Sequence, residues 1–156
     1  MINKEGIEKM TVIYQSYIGI PEPEVLKGIA DLHHRIFNQS ENFLLKIQTK
    51  PELLFFVAID SEQRVIGFKV GYAVNNSCFY SWLGGVDEQY RSAGIGSTLM
   101  LKQHAYLKEN GYKTVQTKTM NKWRNMLILN IKLGFNVVST YTDEKGLHKI
   151  ILEKSL

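Results

Sequence analysis

At 156 residues, with 44% apolar and 22% charged side chains, the chain has the size and balance of one folded domain, not of a disordered or fibrous polymer. The net charge of +4 comes from lysines spread along the chain without a basic tract or a Cys/His finger spacing. That disfavours nucleic acid as a partner, and a phosphate-rich small molecule accounts for the surplus equally well.

One cysteine, Cys78, excludes an intramolecular disulfide framework and suits a reducing cytoplasm, the expected location. The opening MINKEGIEKM has no apolar stretch, so no secretory signal is expected. No apolar run approaches the ~20 residues of a membrane span, so no membrane partner is expected. Without repeats or a linker the reading is one domain over residues 1–156, with 1–8 as a loose end.

A first strand is expected over residues 10–18. Pro21 and Pro23 then suit the opening turn of a helix over 24–37, where Val25, Leu26, Ile29, Ala30, Leu32 and Phe37 recur at helical spacing. Ser40 can cap a short second helix that ends before Pro51. Residues 53–59 form an apolar run, and Asp60 to Gln63 a polar turn. In 64–74, Ile66, Phe68, Val70, Tyr72 and Val74 share one parity, with Gly67, Lys69 and Gly71 opposite. Asn75-Asn76 turns the chain into a partner strand over 78–86. After Gly94 the period becomes helical: Ile95, Leu99 and Tyr106 share a face that Met100 and Leu107 widen, and Asn110-Gly111 ends the helix. A strand over 113–119, a helix over 123–133 stopped by Gly134, and strands over 135–141 and 149–154 complete the order. The fold class is α/β, a mixed and mostly antiparallel sheet of about seven strands flanked by about four helices.

The chemistry concentrates in Leu83-Gly84-Gly85-Val86-Asp87-Glu88-Gln89-Tyr90-Arg91-Ser92-Ala93-Gly94-Ile95-Gly96-Ser97, where a strand meets a glycine-bearing loop that opens a helix. The first N–H groups of such a helix have no internal partner, and with the positive dipole end they make an anion site. Gly94 and Gly96 permit close backbone approach, Arg91 adds charge, and Ser92 and Ser97 offer hydroxyls, which suits a pyrophosphate. There is no Walker Gly-Lys-Ser/Thr, and the glycines do not follow the dinucleotide spacing.

Arg91-x-x-Gly94-x-Gly96 resembles the coenzyme A motif of the GNAT superfamily of N-acetyltransferases, and Lys132-Leu133-Gly134-Phe135 resembles the family's ending of the later helix. The resemblance covers about residues 8–156. It implies a GNAT acyl-CoA N-acyltransferase fold with acetyl-CoA as co-substrate, no metal, and an amine acceptor attacking directly in a ternary complex. The implied cofactor contacts are Gly85, Val86, Arg91, Ser92, Ala93, Gly94, Ile95, Gly96, Ser97 and Asn130. The pantetheine arm would pair with the splayed end of the fourth strand at Gly84-Gly85-Val86, where the paired glycines suit a bulge or a close backbone approach, and a nearby N–H would meet the oxyanion.

The sequence departs from the family at the usual acid. Where many members carry a tyrosine, four residues before the glycine of Leu-Gly-Phe, this chain has Asn130, which can donate a hydrogen bond to sulfur but no proton. Where some members carry a basic glutamate, it has Tyr80, a poor base at an ordinary pKa near 10. Strand parity places Tyr80 with Trp82 and Gly84, so Tyr80 and Trp82 are expected as acceptor walls able to attract an ammonium, with Glu41 a further acceptor contact. His33-His34 lacks a zinc pattern, although one of the two can face the acceptor. Cys78 reads as a packed strand residue. The acceptor is an amine of a small molecule or a protein, and a homodimer is compatible with the reading. An acyl-CoA sensor with this fold and little catalysis is the alternative, since Asn130 replaces the acid.

Overall fold

Seven consecutive apolar residues make β2 (Leu53–Ile59), and all of them are buried. A strand apolar on both parities must be covered on both faces. Leu54, Phe56 and Ala58 pack into one core cluster with Ile95, Leu99 and Met100, whereas Phe55 and Val57 join Ile29, Leu32 and Phe43 in the other. The sheet therefore lies between two helical layers. The computed structural model describes residues 11–38 and 43–156. The expected loose end at 1–8, the strand start at residue 10, the Ser40 cap and Glu41 lie outside the described residues.

The elements follow the expected order: β1 (Ile13–Ile18), α1 (Pro23–Phe37), α2 (Phe43–Gln48), β2, β3 (Val65–Ala73), β4 (Cys78–Val86), α3 (Ile95–Glu109), β5 (Thr114–Thr119), α4 (Arg124–Lys132), β6 (Asn136–Thr142) and β7 (His148–Ser155). A 3-10 turn at Glu88–Tyr90, not read from the sequence, bridges β4 and the loop before α3. Pro23 opens α1, and Asn38 closes it in the left-handed conformation, its N–H donating to the His34 carbonyl. Among the described residues no helix is long and apolar enough to cross a membrane.

Strands run in the order β1-β2-β3-β4-β5-β7-β6, antiparallel throughout except where β4 meets β5. That parallel contact is short. Cys78 to Ser81 pair with Thr114 to Thr117, and beyond Ser81 β4 keeps only its β3 neighbour. The sheet parts there, midway across.

Two bulges overturn simple parity. The β3–β4 register steps from Val70↔Leu83 to Gly71↔Ser81, leaving Trp82 as the extra residue. Tyr80 and Trp82 both lie on the α1 face, but Gly84 does not share it. A Cβ at Gly84 would stand 3.1 Å from Lys69 Cγ on the α3 face, and one at Gly85 would stand 2.5 Å from Ile36 Cδ1 of α1. The glycine pair thus serves close approach, while the bulge falls at Trp82. A register shift between Ala58 and Ile59 likewise moves Ile66 to the α3 layer, away from Phe68 and Val70.

Gly71 is fixed by backbone crowding. A Cβ there would collide with the Tyr80 carbonyl oxygen and lie 2.5 Å from the Phe79 ring. Gly71→Ala should destabilise the fold by about 1–3 kcal/mol, the usual cost of overpacking, read as a lower urea midpoint. An unchanged midpoint would contradict this packing.

Candidate functional site

The loop between β4 and α3 is held from several sides before it reaches the helix. Asp87 accepts from the Gln89 N–H at 2.9 Å and pairs with Arg35 Nη2 of α1 at 3.0 Å. The Tyr90 hydroxyl donates to Asp60 at 3.0 Å, and Arg64 Nε binds the same carboxylate at 3.0 Å. Burial pushes the Asp60 carboxyl up, but hydrogen bonds from the Arg64 N–H, the Tyr90 hydroxyl and the Arg64 guanidinium outweigh it and hold the group below its ordinary value.

Past this anchor the backbone turns left-handed twice, at Ser92 (φ 69°) and Gly94 (φ 79°). Gly94 is the N-cap of α3 and supplies no side-chain cap, so no side chain there satisfies the first helical N–H groups. Around Gly94 a Cβ would meet nothing within 4 Å. Arg91 Nε donates to the Val86 carbonyl at 3.3 Å, keeping its charge over the end of β4. Ser92 and Ala93 are exposed, Ser97 is half-buried, and Ile95 is anchored in the core. At Gly96 a Cβ would lie 3.3 Å from Leu129 Cδ2 and 3.6 Å from Val86 Cγ2, so this glycine lets α3 approach α4 and β4.

A small pocket adjoins that point, lined by Val86, Gly85, Gly96, Met126, Leu129 and Lys69 among others. The α3 side of the sheet carries an unusual set of buried polar groups: Lys69, Ser81, Gln103, His104, Thr117 and Thr119, with Asn130 from α4. Both amide atoms of Gln103 are without a hydrogen-bond partner. Lys154 Nζ lies 3.0 Å from His104 Nδ1, and because an ammonium only donates, Nδ1 accepts and Nε2 carries the hydrogen. Burial, then the charges of Lys154 and Lys69, lower His104 to about 3. Burial alone lowers Lys69 to about 8. Asn130, 2% exposed, is the buried residue of α4, and its backbone carbonyl accepts from the Phe135 N–H at 3.0 Å.

On the α1 face the rings of Tyr72 and Tyr80 meet edge to face at 5.5 Å, and Tyr72 and Trp82 at 6.1 Å. Lys50 Nζ sits 4.9 Å from the Trp82 ring centre, and Lys118 Nζ 5.8 Å from that of Tyr80. Rings expected to receive a substrate ammonium are thus already engaged by the chain's own cations. Burial, then Tyr72 and Tyr141, push the Tyr80 hydroxyl up to about 12, so it stays protonated at neutral pH. His33 is a core residue, stacked on Phe43 at 4.8 Å and lowered by burial first and then by Lys46 and His34. Cys78 is half-buried and in no disulfide. Among the described residues no group of His, Cys, Asp or Glu gathers to hold a metal.

The model of the acetyltransferase (GNAT) family matches residues 21–135. The chain belongs to that family. No curated protein matches its sequence. Solved GNAT structures share the fold of this family member at low identity. It is similar to Ard1 from Thermoplasma volcanium (18% identity, TM-score 0.77, 90% of this chain and 97% of that one). It is also similar to an IAA acetyltransferase from Bacillus cereus (22%, 0.71, 94% and 100%). A third likeness is to a GNAT family acetyltransferase from Elizabethkingia anophelis with acetyl-CoA bound (21%, 0.64, 93% and 98%).

Sequence reading missed the anchors Arg35, Asp60 and Tyr90 and the buried group Lys69, Gln103 and His104 of this GNAT chain. The one available signal was Lys69 on the glycine parity of β3, a charge with only Gly67 and Gly71 beside it. Contacts such as Tyr90 to Asp60 join residues 30 apart and left no local pattern.

The folded His104 is lowered from 6.5 to about 3, so between those values only the unfolded chain binds the proton, and stability falls as pH drops. The loss from this group should be about 1.4 kcal/mol per pH unit below the unfolded pKa. Imidazole nitrogen NMR should show His104 neutral, protonated at Nε2, across pH 5–8. A midpoint near 6.5 would contradict the buried arrangement.

Proposed function

We propose that the chain is an acetyl-CoA-dependent N-acetyltransferase, acting as one domain in the cytoplasm on a small-molecule or protein amine by direct attack in a ternary complex. The observation that carries this reading is the parting of β4 from β5 directly beside the uncapped start of α3. Family membership supports acyl transfer. A NatC complex bound to Gag peptide and CoA is among the structural neighbours, which supports an amine acceptor.

Gly94, Ile95, Gly96 and Ser97 would present backbone N–H groups to the pyrophosphate, with Arg91, Ser92 and Ala93 completing the cradle. Gly85 and Val86 would pair with the pantetheine through the β4 edge that β5 leaves open, and Asn130 would contact the thioester end from α4. N–H groups of β4 beyond Ser81 that face this gap would stabilise the carbonyl oxygen as charge develops. Acetyl-CoA supplies the activated acyl group. The acceptor would approach over Tyr80 and Trp82 from the α1 face. Because Tyr80 stays protonated, its ring would position the amine, and water would take the amine's proton. A sensor with little catalysis is the second reading, favoured only by Asn130 at the acid position.

Gly94→Glu puts bulk and negative charge where the pyrophosphate would sit, and Gly94→Ala carries the same backbone strain without the charge. By calorimetry the glutamate variant should bind CoA at least about a hundredfold more weakly than the alanine variant, or about 2.7 kcal/mol. Equal affinities would remove the cofactor assignment. Release of thiol with a panel of amines separates enzyme from sensor, and its absence with every amine would favour the sensor.

For the acceptor wall, Tyr80→Phe deletes only the hydroxyl. It should keep turnover within about tenfold, below the hundredfold or more attached to a working acid or base, and keep the rise of rate with pH that belongs to the amine. Loss of nearly all turnover with CoA affinity intact would make the hydroxyl catalytic.

A further inference from the structure

Lys69 is 8% exposed and lies on the α3 face of β3, between Gly67 and Gly71. Its partner across the ladder is Gly84, where a Cβ would come within 3.1 Å of Lys69 Cγ. The missing side chain leaves room for the lysine stem beneath β4, and the residue lines the pocket with Gly85, Val86 and Leu129. Among the described residues the Lys69 ammonium makes no hydrogen bond or ion pair. Its charge is felt by His104 of α3, which is held neutral, and Lys154 of β7 is bonded to that ring; Gln103 of α3 is uncharged. No carboxylate contributes to its titration.

The ammonium of this largely buried side chain has no anion beside it and keeps access to the pocket, and such a costly position points to an anion supplied from outside. Two arise in the pocket of an acetyltransferase. The pyrophosphate belongs at the mouth, where α3 begins after Val86. The second is the thiolate released when the thioester breaks. The gap closes inward where β4 and β5 rejoin at Ser81 and Thr117, so the reactive end lies between that point and Val86, level with Gly84 and its partner Lys69.

We propose that Lys69 is a catalytic residue of this chain, its ammonium stabilising the departing thiolate and delivering the proton that Asn130 cannot. The proposal rests on the acetyl-transfer reading above. The neutral amine attacks the thioester carbonyl, the C–N bond forms, and the C–S bond breaks with its electron pair on sulfur. Lys69 gives one proton to that sulfur, leaving the free thiol and a neutral lysine. The proton shed by the new amide nitrogen leaves through water, and Lys69 takes one back from water before the next turnover. Burial brings Lys69 to about 8, below an ordinary lysine, which makes its proton easier to give to sulfur than that of an exposed ammonium.

The test is an ultraviolet titration of the thiolate in the CoA complex, with the desulfo-CoA complex subtracted to remove tyrosine absorbance. In the wild-type complex the thiol should titrate at least about one pH unit below free CoA, a tenfold change in proton affinity. In Lys69→Met that shift should vanish while CoA affinity persists, and turnover should fall at least about a hundredfold. Lys69→Arg should keep the shift but lose the alkaline fall in kcat near pH 8, because arginine does not release its proton. A wild-type thiol that titrates as in free CoA overturns the proposal whether or not the variants fold. So does a shift that survives in Lys69→Met. Failure of CoA to bind the wild-type chain at all overturns the acetyltransferase reading first, and this proposal with it.

Discussion

Where β4 leaves β5, a buried sheet gives up its ladder in mid-course, and the unpaired N–H and carbonyl groups need another partner. Every other feature of the site is arranged around that gap. The Trp82 bulge re-aims the strand as it departs, and the two glycines that follow let α1 and the Lys69 stem close in from opposite faces. The strand then ends at Val86, which packs against the first turn of α3 at Gly96. An extended ligand that pairs with one strand and ends in phosphates matches this sequence of openings.

The two faces of the sheet treat charge differently. On the α3 face a lysine, a glutamine and a neutral histidine are buried together, and the Gln103 amide is left without a partner. On the α1 face Lys50 and Lys118 rest against aromatic rings near solvent. Lys69 lines the pocket beside Val86, whereas Lys50 and Lys118 lie on rings of the opposite face.

Element order, helix stops and the glycine loop that opens α3 were legible because each is written in local chemistry. Pro23 at a helix start, Gly94 before α3 and Gly111 after it are residues whose backbone preferences force the outcome. Tyr80 and Trp82 were placed on one face correctly, but Gly84 was assigned to that face as well, since a period of two cannot register the extra residue at Trp82. Lys69, Gln103 and His104 escaped notice for a related reason. Polar residues on a helix or strand look solvated until tertiary packing covers them, and nothing in their spacing reveals that it does. Arg35 with Asp87, and Tyr90 with Asp60, are long-range pairs with no signature in sequence.

Amide hydrogen exchange of the wild-type chain with and without CoA measures the central constraint most directly. If the gap and the start of α3 are completed by the cofactor, exchange should slow at residues 83–86 and 92–97, while β1 stays unchanged because it lies at the far edge of the sheet. Protection confined to other segments, with these two unaffected by saturating CoA, would contradict the account.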